Sequence, residues 1–286
     1  MLAIVVCHYN PGGYQRPVDN YRSFSRAIGT SHVYTVEAVF PGRTSITGQI
    51  VRDAGPANVM WQKERMLSLA ISHLPAYYDK VAWVDADMLF TNPCWREIAA
   101  DMLDTYPVCH LFDAVVNTDN YGRIADRREG VGWRWNNKRD DTTTWYRPGG
   151  AWAARREIAE SCFYHWDILG GGDSGTTFAW TGEFERYNRH RAYSPRWSQH
   201  YLDWARQQYE MVQGRIGCVS GDVVHLWHGD VDNRQYGTRP KILADHKFDP
   251  FADIRIGENG LWEWASDKPE LHNAVRKYFV RRREDG

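Results

Sequence analysis

Long apolar runs are missing from this sequence of 286 residues. No stretch approaches the roughly 20 consecutive apolar residues that cross a bilayer, so the sequence predicts no membrane span. The apolar run at residues 2–7 is too short for the core of a signal peptide, and no basic residues precede it. We therefore expect a cytoplasmic protein.

Cysteine and net charge are also low. The five cysteines are widely spaced and form no CxxC pair, which argues against a zinc knuckle and against a disulfide framework. The formal net charge of −1 gives no general attraction to nucleic acid. Lysine is scarce, because 28 of the 35 basic residues are arginine, the residue suited to bidentate contact with phosphate. Tryptophan is abundant, and its 14 rings offer faces on which sugars and nucleobases stack.

The first 95 residues alternate between strand and helix patterns. Buried strands are predicted at residues 2–10, 33–40 and within 80–90, and helices at 18–28 and 58–74. This alternation predicts an α/β fold with a mostly parallel central sheet, flanked by helices and joined by right-handed crossovers. In such sheets ligands bind beyond the carboxyl ends of the strands, where Asn10 and the pair Asp85 and Asp87 stand.

Periodicity is weaker in the rest of the chain. Residues 113–147 show none, and we expect a long excursion or lid there and not a second folding domain. Three glycines at 170–172 form a tight passage into Asp173. Further regular elements are predicted as helices at 153–163, 198–213 and 267–283 and as a strand at 221–227.

Two carboxylates stand in the segment VAWVDADMLF. Asp85 and Asp87 lie two positions apart at a strand end, and side chains at i and i+2 of an extended strand point the same way. Such a pair suits Mg²⁺ or Mn²⁺ bridging a diphosphate. The alternative is that Asp85 caps the next helix and that Asp87 is a solvated turn residue.

A histidine pair ends the segment VVHLWHGD. His225 and His228 follow an apolar strand, and both rings reach one ion if the chain turns at Trp227. Imidazole nitrogen suits Mn²⁺ better than Mg²⁺. The alternative is that one of the two histidines is a satisfied core residue.

The segment GGGDSG places a single carboxylate, Asp173, after glycines that let the backbone approach a ligand closely. A carboxylate in such a position can act as a general base on an acceptor hydroxyl. An ordinary turn is the alternative, since glycine and aspartate build turns frequently.

In their order along the chain, these segments resemble the inverting glycosyltransferases of the GT-A fold, and the β-1,4-galactosyltransferases in particular. In that family a helix with an N-R-A-K-L-L pattern precedes a strand ending in D-V-D, and here WQKERMLSLA precedes VAWVDAD. PGGAWAARREI is similar to the family's Gly-Gly segment and following helix, and ILGGGD is similar to its W-G-W-G-G-E-D passage. The family's metal-binding Met and His, spaced i and i+3, correspond to His225 and His228.

This resemblance implies a GT-A-type, Rossmann-like single domain over residues 1–286. The implied activity is that of a hexosyltransferase moving a sugar from a nucleotide donor, which is a UDP-sugar in most such families. Residues 1–110 would bind the nucleotide sugar, 111–240 would bind the acceptor and complete the metal site, and 241–286 would form a tail.

The resemblance also implies roles for individual residues. Asp173 is the implied catalytic base, and Asp87, His225 and His228 are the implied ligands of Mn²⁺ (or Mg²⁺). The expected nucleotide-sugar contacts are Cys7, His8, Asn10, Lys63, Arg65, Asp85, Ala86, Asp87, Gly150 and Trp152. The expected acceptor contacts are Trp133, Trp135, Gly171, Gly172 and Asp173.

The acceptor is left open between a saccharide and a modified DNA base. Arginines are concentrated in the aperiodic segment, and their contacts to phosphate would position a duplex while tryptophans held an extruded base. Phage enzymes that glycosylate hydroxymethylated pyrimidines have such an acceptor, so a bacterial or phage-infected host cytoplasm fits. The other interpretation makes the segment a solvated lid over the donor. The arginines concerned are Arg123, Arg127, Arg128, Arg134 and Arg139.

Two other classes of protein fit parts of the pattern. A metal-dependent hydrolase of a nucleotide sugar or phosphoester would use the same Asp and His set, with a metal-bound water as the nucleophile. A non-catalytic carbohydrate- or nucleic-acid-binding module would account for the tryptophans and arginines. It would give no reason for carboxylates and histidines to stand at predicted strand ends.

Overall fold

The computed structural model describes residues 1–138 and 147–286. Arg139, one of the arginines of the aperiodic segment, lies outside the described residues. The described part of the chain contains thirteen strands and eleven α-helices. The strands are β1 (Leu2–Tyr9), β2 (Val33–Val39), β3 (Ile50–Asp53), β4 (Lys80–Val84), β5 (Met88–Phe90), β6 (Val108–His110), β7 (Ala114–Thr118), β8 (Ile124–Glu129), β9 (Ala151–Arg155), β10 (Ile216–Cys218), β11 (Asp222–His225), β12 (Ile254–Ile256) and β13 (Trp262–Trp264). The helices are α1 (Gln15–Ile28), α2 (Lys63–Ser72), α3 (Trp95–Thr105), α4 (Val131–Asn136), α5 (Arg156–Ala159), α6 (Gly172–Trp180), α7 (Phe184–Arg189), α8 (Pro195–Val212), α9 (Arg239–Asp245), α10 (Pro250–Asp253) and α11 (Pro269–Arg281).

Seven of the described strands form the central sheet, in the order β10-β6-β9-β4-β1-β2-β3. Neighbouring strands are parallel except at β9, which runs antiparallel to both β4 and β6. Helices pack on both faces, with α1 and α3 on one side and α2, α5 and α6 on the other. The predicted α/β class, with a mostly parallel central sheet flanked by helices, is confirmed.

Strand β1 shows why its sequence is continuously apolar. Ala3 and Val5 point to one face of the sheet and share a buried cluster with Met66 of α2. Ile4 points to the opposite face and packs with Phe24 of α1. Because both faces are covered, a central parallel strand shows no alternation of apolar and polar residues.

Helix α2 begins later than the periodicity predicts. The helix expected over 58–74 spans Lys63–Ser72, because Pro56–Asn58 forms a separate 3₁₀ turn ahead of it. The later start leaves Lys63 and Glu64 in the first helical turn, where their side chains border the carboxyl edge of the sheet.

Residues 151–155 form a strand, and the helix expected over 153–163 is wrong. Strand β9 pairs with β4 on one side and with β6 on the other, and the helical part is limited to the single turn of α5. Alanines suit a helix in isolation, but here the segment completes two ladders of hydrogen bonds in a buried sheet. Tertiary pairing therefore outweighs local helix propensity.

A second sheet, in the order β5-β11-β7-β8, includes part of the segment expected to be aperiodic. Strands β7 and β8 form an antiparallel pair, and α4 follows them. The expected lack of regular structure over 113–147 is therefore wrong for the described residues of that segment. The pattern was hidden because β8, with the sequence IADRRE, is an edge strand that is largely exposed on both faces.

Strand β11 connects the second sheet to the carboxyl edge of the first. It pairs with β5, and the amide of Leu226 donates to the carbonyl of Asp87 at 2.9 Å. The end of β11 therefore lies beside the turn between β4 and β5. Two motifs from distant parts of the chain, VDAD and VVHLWHGD, become neighbours in this way.

The helices expected over 198–213 and 267–283 are observed as α8 and α11, and the strand expected at 221–227 as β11. Helices α8 and α11 contribute to a third buried cluster that includes Trp197, Tyr201 and Tyr278. None of the helices in residues 1–138 and 147–286 combines the length and the apolar character that a membrane span needs.

Candidate active site

A cleft of about 830 Å³ lies at the carboxyl edge of the central sheet. Residues at the ends of β1, β4 and β11 line it, together with the first turns of α2 and α6. Phe279, Arg282 and Glu284 bring the C-terminal part of the chain into its wall. The cleft thus combines side chains from both ends of the sequence.

Asp87, His225 and His228 converge at one point of the cleft. Asp87 Oδ2 lies 3.0 Å from His228 Nε2 and 3.6 Å from His225 Nε2, and the two Nε2 atoms are 3.2 Å apart. Donors held about 2.1 Å from one ion, at angles of about 90° to 120°, are separated by about 3.0 to 3.6 Å. The three side chains therefore have the spacing of ligands to a shared metal ion.

The imidazole rings of His225 and His228 each contact a polar side chain through Nδ1, on the side away from Asp87. His225 Nδ1 lies 2.9 Å from Asn117 Oδ1 and 3.0 Å from Arg147 Nη2, and its Nε2 atom faces Asp87. His228 Nδ1 lies 3.5 Å from Glu284 Oε1, which favours a proton on Nδ1 and leaves Nε2 free to accept. Metal-binding histidines are typically held by carboxylate or carbonyl partners of this kind.

One oxygen of this group is unsatisfied. Asp87 Oδ1 is buried and has no hydrogen-bond partner among the described residues, which costs free energy unless a cation supplies the interaction. Burial opposes ionisation of this carboxyl, but His225 and His228 hold the pKa of Asp87 well below its usual range. Burial lowers the pKa of His225 to about 3, so its ring is neutral, as a metal ligand must be. One carboxylate and two imidazoles fit Mn²⁺ better than Mg²⁺.

A lysine bridges two further carboxylates. Lys63 Nζ lies 2.6 Å from Asp85 Oδ1 and 2.9 Å from Asp173 Oδ2. Burial alone would lower the pKa of Lys63, but Asp173 and Asp85 raise it well above its ordinary value, so the ammonium group stays charged. Asp85 is therefore held by Lys63, whereas Asp87 faces the histidines.

Glu64 adds a buried carboxyl group beside this ion-pair cluster. Burial, followed by the negative charge of Asp173, raises the pKa of Glu64 to about 8. Burial also raises the pKa of Asp85 to about 6, against the opposing charge of Lys63. At neutral pH, Glu64 is therefore mostly protonated while Asp87 is ionised.

Two glycines make room for these carboxyl groups. A Cβ atom on Gly149 would stand 2.4 Å from Asp173 Oδ2, and one on Gly172 would stand 2.3 Å from Glu64 Oε1. Both distances are too short for a side chain. The glycines of PGG and GGGD therefore allow the chain to pass closely beside Asp173 and Glu64.

Three arginines border the cleft without an acidic partner in the part of the chain that the structure describes. Among the described residues, no carboxylate oxygen forms an ion pair within 4.0 Å with Arg147, Arg234 or Arg239. Arg234 Nη2 instead donates to His228 Nε2 at 2.9 Å, and Arg147 Nη2 donates to Asn117 Oδ1 at 3.2 Å. Guanidinium groups in such a position suit an anionic ligand such as a phosphate.

Many of the residues predicted from the sequence do border the cleft. Gly172 lies directly beside it, against Glu64. The predicted residues in the lining are Cys7, His8, Lys63, Asp85, Ala86, Asp87, Gly150, Gly171, Asp173, His225 and His228.

Three predicted nucleotide-sugar contacts lie outside the lining formed by the described residues. The side-chain amide of Asn10 donates to the carbonyl of Tyr14 at 2.7 Å and accepts from its amide at 3.0 Å, so it shapes the loop after β1. Arg65 Nε donates to the carbonyl of Gly260 at 2.7 Å. Trp152 is 2% exposed in the core of the central sheet, so its ring does not face a sugar in the cleft.

The predicted tryptophan contacts to the acceptor also lie away from the cleft. Trp133 and Trp135 stand on α4, and Trp135 Nε1 donates to the carbonyl of Gly214 at 2.8 Å. The neighbouring arginines already have acidic partners. These ion pairs are Arg123 with Asp119, Arg127 with Asp222, Arg128 with Asp126, and Arg134 with Glu129.

Several residues of the cleft escaped the sequence predictions. Glu64 had an available signal, because it stands between Lys63 and Arg65, which were both expected to contact the nucleotide sugar. Arg234, Arg239 and Glu284 carry no local signal, since only the fold brings the C-terminal part of the chain to the histidines.

Comparisons with family models and with curated proteins gave no match. Among solved structures, the chain is similar to glucosyl-3-phosphoglycerate synthase from Mycobacterium tuberculosis. The structure of that enzyme with Mg²⁺ and UDP is 14% identical, with 86% of this chain and 78% of that chain covered and a TM-score of 0.42. Its structure with Mn²⁺, UDP-glucose and phosphoglyceric acid is 13% identical, with 93% and 87% covered and a TM-score of 0.44. A mycobacterial protein is 14% identical, with 95% and 87% covered and a TM-score of 0.42. Similarity at this level assigns neither a substrate nor a residue's role to this chain.

Proposed function

We propose that this chain is a metal-dependent glycosyltransferase of the GT-A type, which moves a hexose from a nucleotide donor to an acceptor hydroxyl with inversion. The observation that carries the proposal is the meeting of Asp87, His225 and His228 in the same cleft as Asp173. A metal-ligand set and a candidate base at the carboxyl edge of a parallel sheet form the arrangement that such a transfer requires.

Asp87, His225 and His228 would hold Mn²⁺ (or Mg²⁺). When bound, the ion would act as a Lewis acid that neutralises charge on the leaving diphosphate. Arg147 and Arg234 stand beside the two histidines, where their guanidinium groups would bind the same diphosphate.

Asp173 is the proposed base. Its carboxylate would take the proton of the acceptor hydroxyl as that oxygen bonds to the anomeric carbon, while the bond from this carbon to the diphosphate oxygen breaks. Lys63 occupies only part of the accepting capacity of Asp173, because a carboxylate has about four lone-pair sites. Lys63 would also keep Asp173 and Asp85 in place.

The donor is proposed to lie along the first part of the cleft, and UDP is the nucleotide most used by the enzymes that the sequence resembles. Cys7, His8, Ala86 and Gly150 border this part. We keep the assignment of 1–110 to donor binding and of 111–240 to the acceptor and metal. Residues 241–286 form more than a tail, since Glu284 contacts a proposed metal ligand.

The ion pairs of the arginine-rich segment bear on the choice of acceptor. Four of its described arginines, at positions 123, 127, 128 and 134, are matched by carboxylates, so they offer less uncompensated charge to a DNA backbone than the sequence suggested. Arg147, the fifth, faces the histidines of the cleft. A saccharide or other small acceptor is therefore preferred to a modified DNA base.

A metal-dependent hydrolase is the rival with the same side chains. It would use a metal-bound water as the nucleophile in place of the acceptor hydroxyl. A non-catalytic binding module is disfavoured, because it has no need for the ligand set or for a lysine-held Asp173.

The test is an assay of sugar transfer and nucleotide release with a panel of nucleotide sugars, Mn²⁺ and candidate acceptors. We expect Asp87→Ala, His228→Ala and Asp173→Asn to reduce transfer by about 100-fold or more, since electrostatic stabilisation and general base catalysis are each worth that much. His73→Ala, an exposed histidine far from the cleft, is the matched control. Near-normal transfer in all three cleft variants would exclude the mechanism, and release of free sugar without any effect of acceptor would identify the hydrolase.

A further inference from the structure

We propose that the acceptor carries a terminal anionic group, a phosphate monoester or a carboxylate, which binds Arg239 beside Asp173. This inference rests on the proposed transfer reaction and names the chemical class of its acceptor. It is based on the buried guanidinium group of Arg239, which borders the cleft.

Arg239 is a buried cation that forms no ion pair with a carboxylate of the described residues. The residue is 7% exposed, and its Nε atom has no hydrogen-bond partner among the described residues. Its Nη1 donates to the hydroxyl of Tyr278 at 3.1 Å, and its guanidinium lies 4.8 Å from the ring centre of Tyr236. These neutral partners hold the group without neutralising it. A buried cation without a counter-ion is costly, so an anion bound from the cleft would relieve a cost already present.

The position of Arg239 relates it to the glycines that precede Asp173. A Cβ atom on Gly170 would stand 3.0 Å from Arg239 Nη2. Arg191, which is ion-paired with Asp167, also donates to the carbonyl of Gly170 at 3.3 Å. Both guanidinium groups therefore flank the glycines that lead directly into Asp173. Arg147 and Arg234 contact the two histidines. Arg234 also donates to the hydroxyl of Tyr236 at 3.2 Å, so Tyr236 contacts both Arg234 and Arg239, and saturation with UDP is needed to tell an acceptor site from the diphosphate site.

The depth of this site favours a terminal group over a polymer backbone. The side chain of Arg191 is 11% exposed, and Arg239 is buried to a similar degree. Phosphodiester backbones are usually followed by exposed cations along a groove, whereas a monoester or carboxylate can enter a pocket end-on. An acceptor bound in this way would place a hydroxyl near Asp173 and its anionic group on Arg239.

The experiment measures the binding of inorganic phosphate by calorimetry to the full-length protein saturated with Mn²⁺ and UDP. Saturation fills the proposed diphosphate site, so the remaining phosphate binding reports a second anion site. We expect Arg239→Gln to weaken this binding by about 10-fold or more, since the charge-assisted hydrogen bonds to the anion are lost. Arg239→Lys should retain part of it, and Arg22→Gln, on the exposed face of α1, should retain all of it. Melting curves of each variant exclude unfolding as the cause.

Equal phosphate binding by the wild type and Arg239→Gln would overturn the inference, as would the absence of phosphate binding in the wild type. A parallel titration with a single-stranded oligonucleotide separates the sources of phosphate. Binding of the oligonucleotide that depends on Arg239 and exceeds that of phosphate would replace the monoester with a nucleic acid. If Mn²⁺ and UDP themselves fail to bind, the proposed function fails, while Arg239-dependent binding of phosphate would still support the anion site.

Discussion

Arg234 and a bound metal ion would compete for the Nε2 atom of His228. Arg234 Nη2 donates to it at 2.9 Å, and the same atom faces Asp87 Oδ2 and His225 Nε2 in the candidate metal site. An imidazole nitrogen has one lone pair, so metal coordination requires Arg234 to turn away. The released guanidinium would then be free for an anionic ligand, which couples the binding of metal to that of the nucleotide.

Replacement of Arg234 should therefore change two affinities in opposite directions. We expect Arg234→Gln to bind Mn²⁺ several-fold more tightly without nucleotide, because a competing cation is removed, and to bind UDP several-fold more weakly once Mn²⁺ is present. Calorimetric titrations of both ligands measure this, with Arg206→Gln on the exposed side of α8 as the control. Parallel loss of both affinities would indicate that Arg234 is only structural.

Glu64 should make stability depend on pH. Its pKa is raised from 4.5 to about 8, mainly by burial, so between these pH values the folded state binds a proton that the unfolded state has lost. Stability therefore falls as pH rises from about 4.5 to 8 and levels off above that. We expect Glu64→Gln, which stays neutral, to melt several degrees above the wild type at pH 8.5 and close to it at pH 5. Glu157→Gln, at an exposed site, is the control; identical pH profiles for wild type and Glu64→Gln would contradict the expectation.

At the scale of elements, the segment after α11 behaves as part of the cleft wall. Asp285 accepts from the amides of Gln15 and Arg16 at 3.0 and 2.6 Å, at the start of α1. Burial would raise the pKa of Glu284, but His228 and Arg282 lower it to about 2. The segment thus binds the start of α1 through Asp285 and contacts the candidate metal ligand His228 through Glu284.

Glu284 should accordingly act as a positioning residue for His228. We expect Glu284→Gln to weaken the binding of Mn²⁺ by about 10- to 100-fold, as loss of an outer carboxylate partner typically does. Calorimetric titration of Mn²⁺ measures this in the absence of any substrate, and Glu97→Gln in α3 is a matched control. Glu284→Asp should recover part of the affinity. An unchanged affinity in Glu284→Gln would remove Glu284 from the metal site.

Strand β9 carries Trp152 in the core and not in the cleft. We expect Trp152→Ala to lower the free energy of unfolding by about 3–5 kcal/mol, as loss of a buried tryptophan does. The affinity of the folded fraction for nucleotide should stay within about two-fold of the wild type, because the ring does not border the cleft. Urea denaturation and nucleotide titration measure the two quantities, with Tyr121→Ala, 76% exposed, as the control. A large loss of nucleotide affinity at wild-type stability would restore the nucleotide-sugar contact expected for Trp152 from the sequence.

At the scale of the whole molecule, ligands of the cleft should stabilise the fold. We expect Mn²⁺ and UDP at about 100 times their dissociation constants to add about 2.7 kcal/mol for each ligand, which corresponds to a rise in melting temperature of about 5 °C or more for a chain of this size. His228→Ala should lose the part of this shift that requires Mn²⁺. A thermal-shift experiment checks both, and equal shifts with and without Mn²⁺ would contradict a metal-linked donor site.

The sequence was most informative where structure depends on local pattern. The strands and helices of the first third, the carboxylates at the end of β4 and the histidines after β11 could be placed because apolar runs and turn residues identify strand ends. The parallel arrangement then placed the carboxylates at the ligand-binding edge of the sheet. The resemblance to GT-A enzymes, and not the parallel arrangement, brought the histidines to the same metal site, since β11 belongs to the second sheet.

Predictions failed where structure depends on partners far along the chain. Strand β9 was taken for a helix because its hydrogen-bonding neighbours, β4 and β6, are not apparent from its own residues. The strand character of β8 was masked by exposure of both faces. The positions of Arg239 and Glu284 in the cleft could not be predicted, since each depends on a long-range contact that forms only in the folded protein.

The three candidate metal ligands come from a turn after the fourth strand and from the end of the eleventh, so neither part of the chain can bind the ion tightly alone. Metal loading is therefore a property of molecules in which both sheets have formed and met. With Co²⁺ as a coloured substitute, the intensity of visible absorption would count correctly assembled molecules in a preparation. The same signal would follow their appearance during refolding.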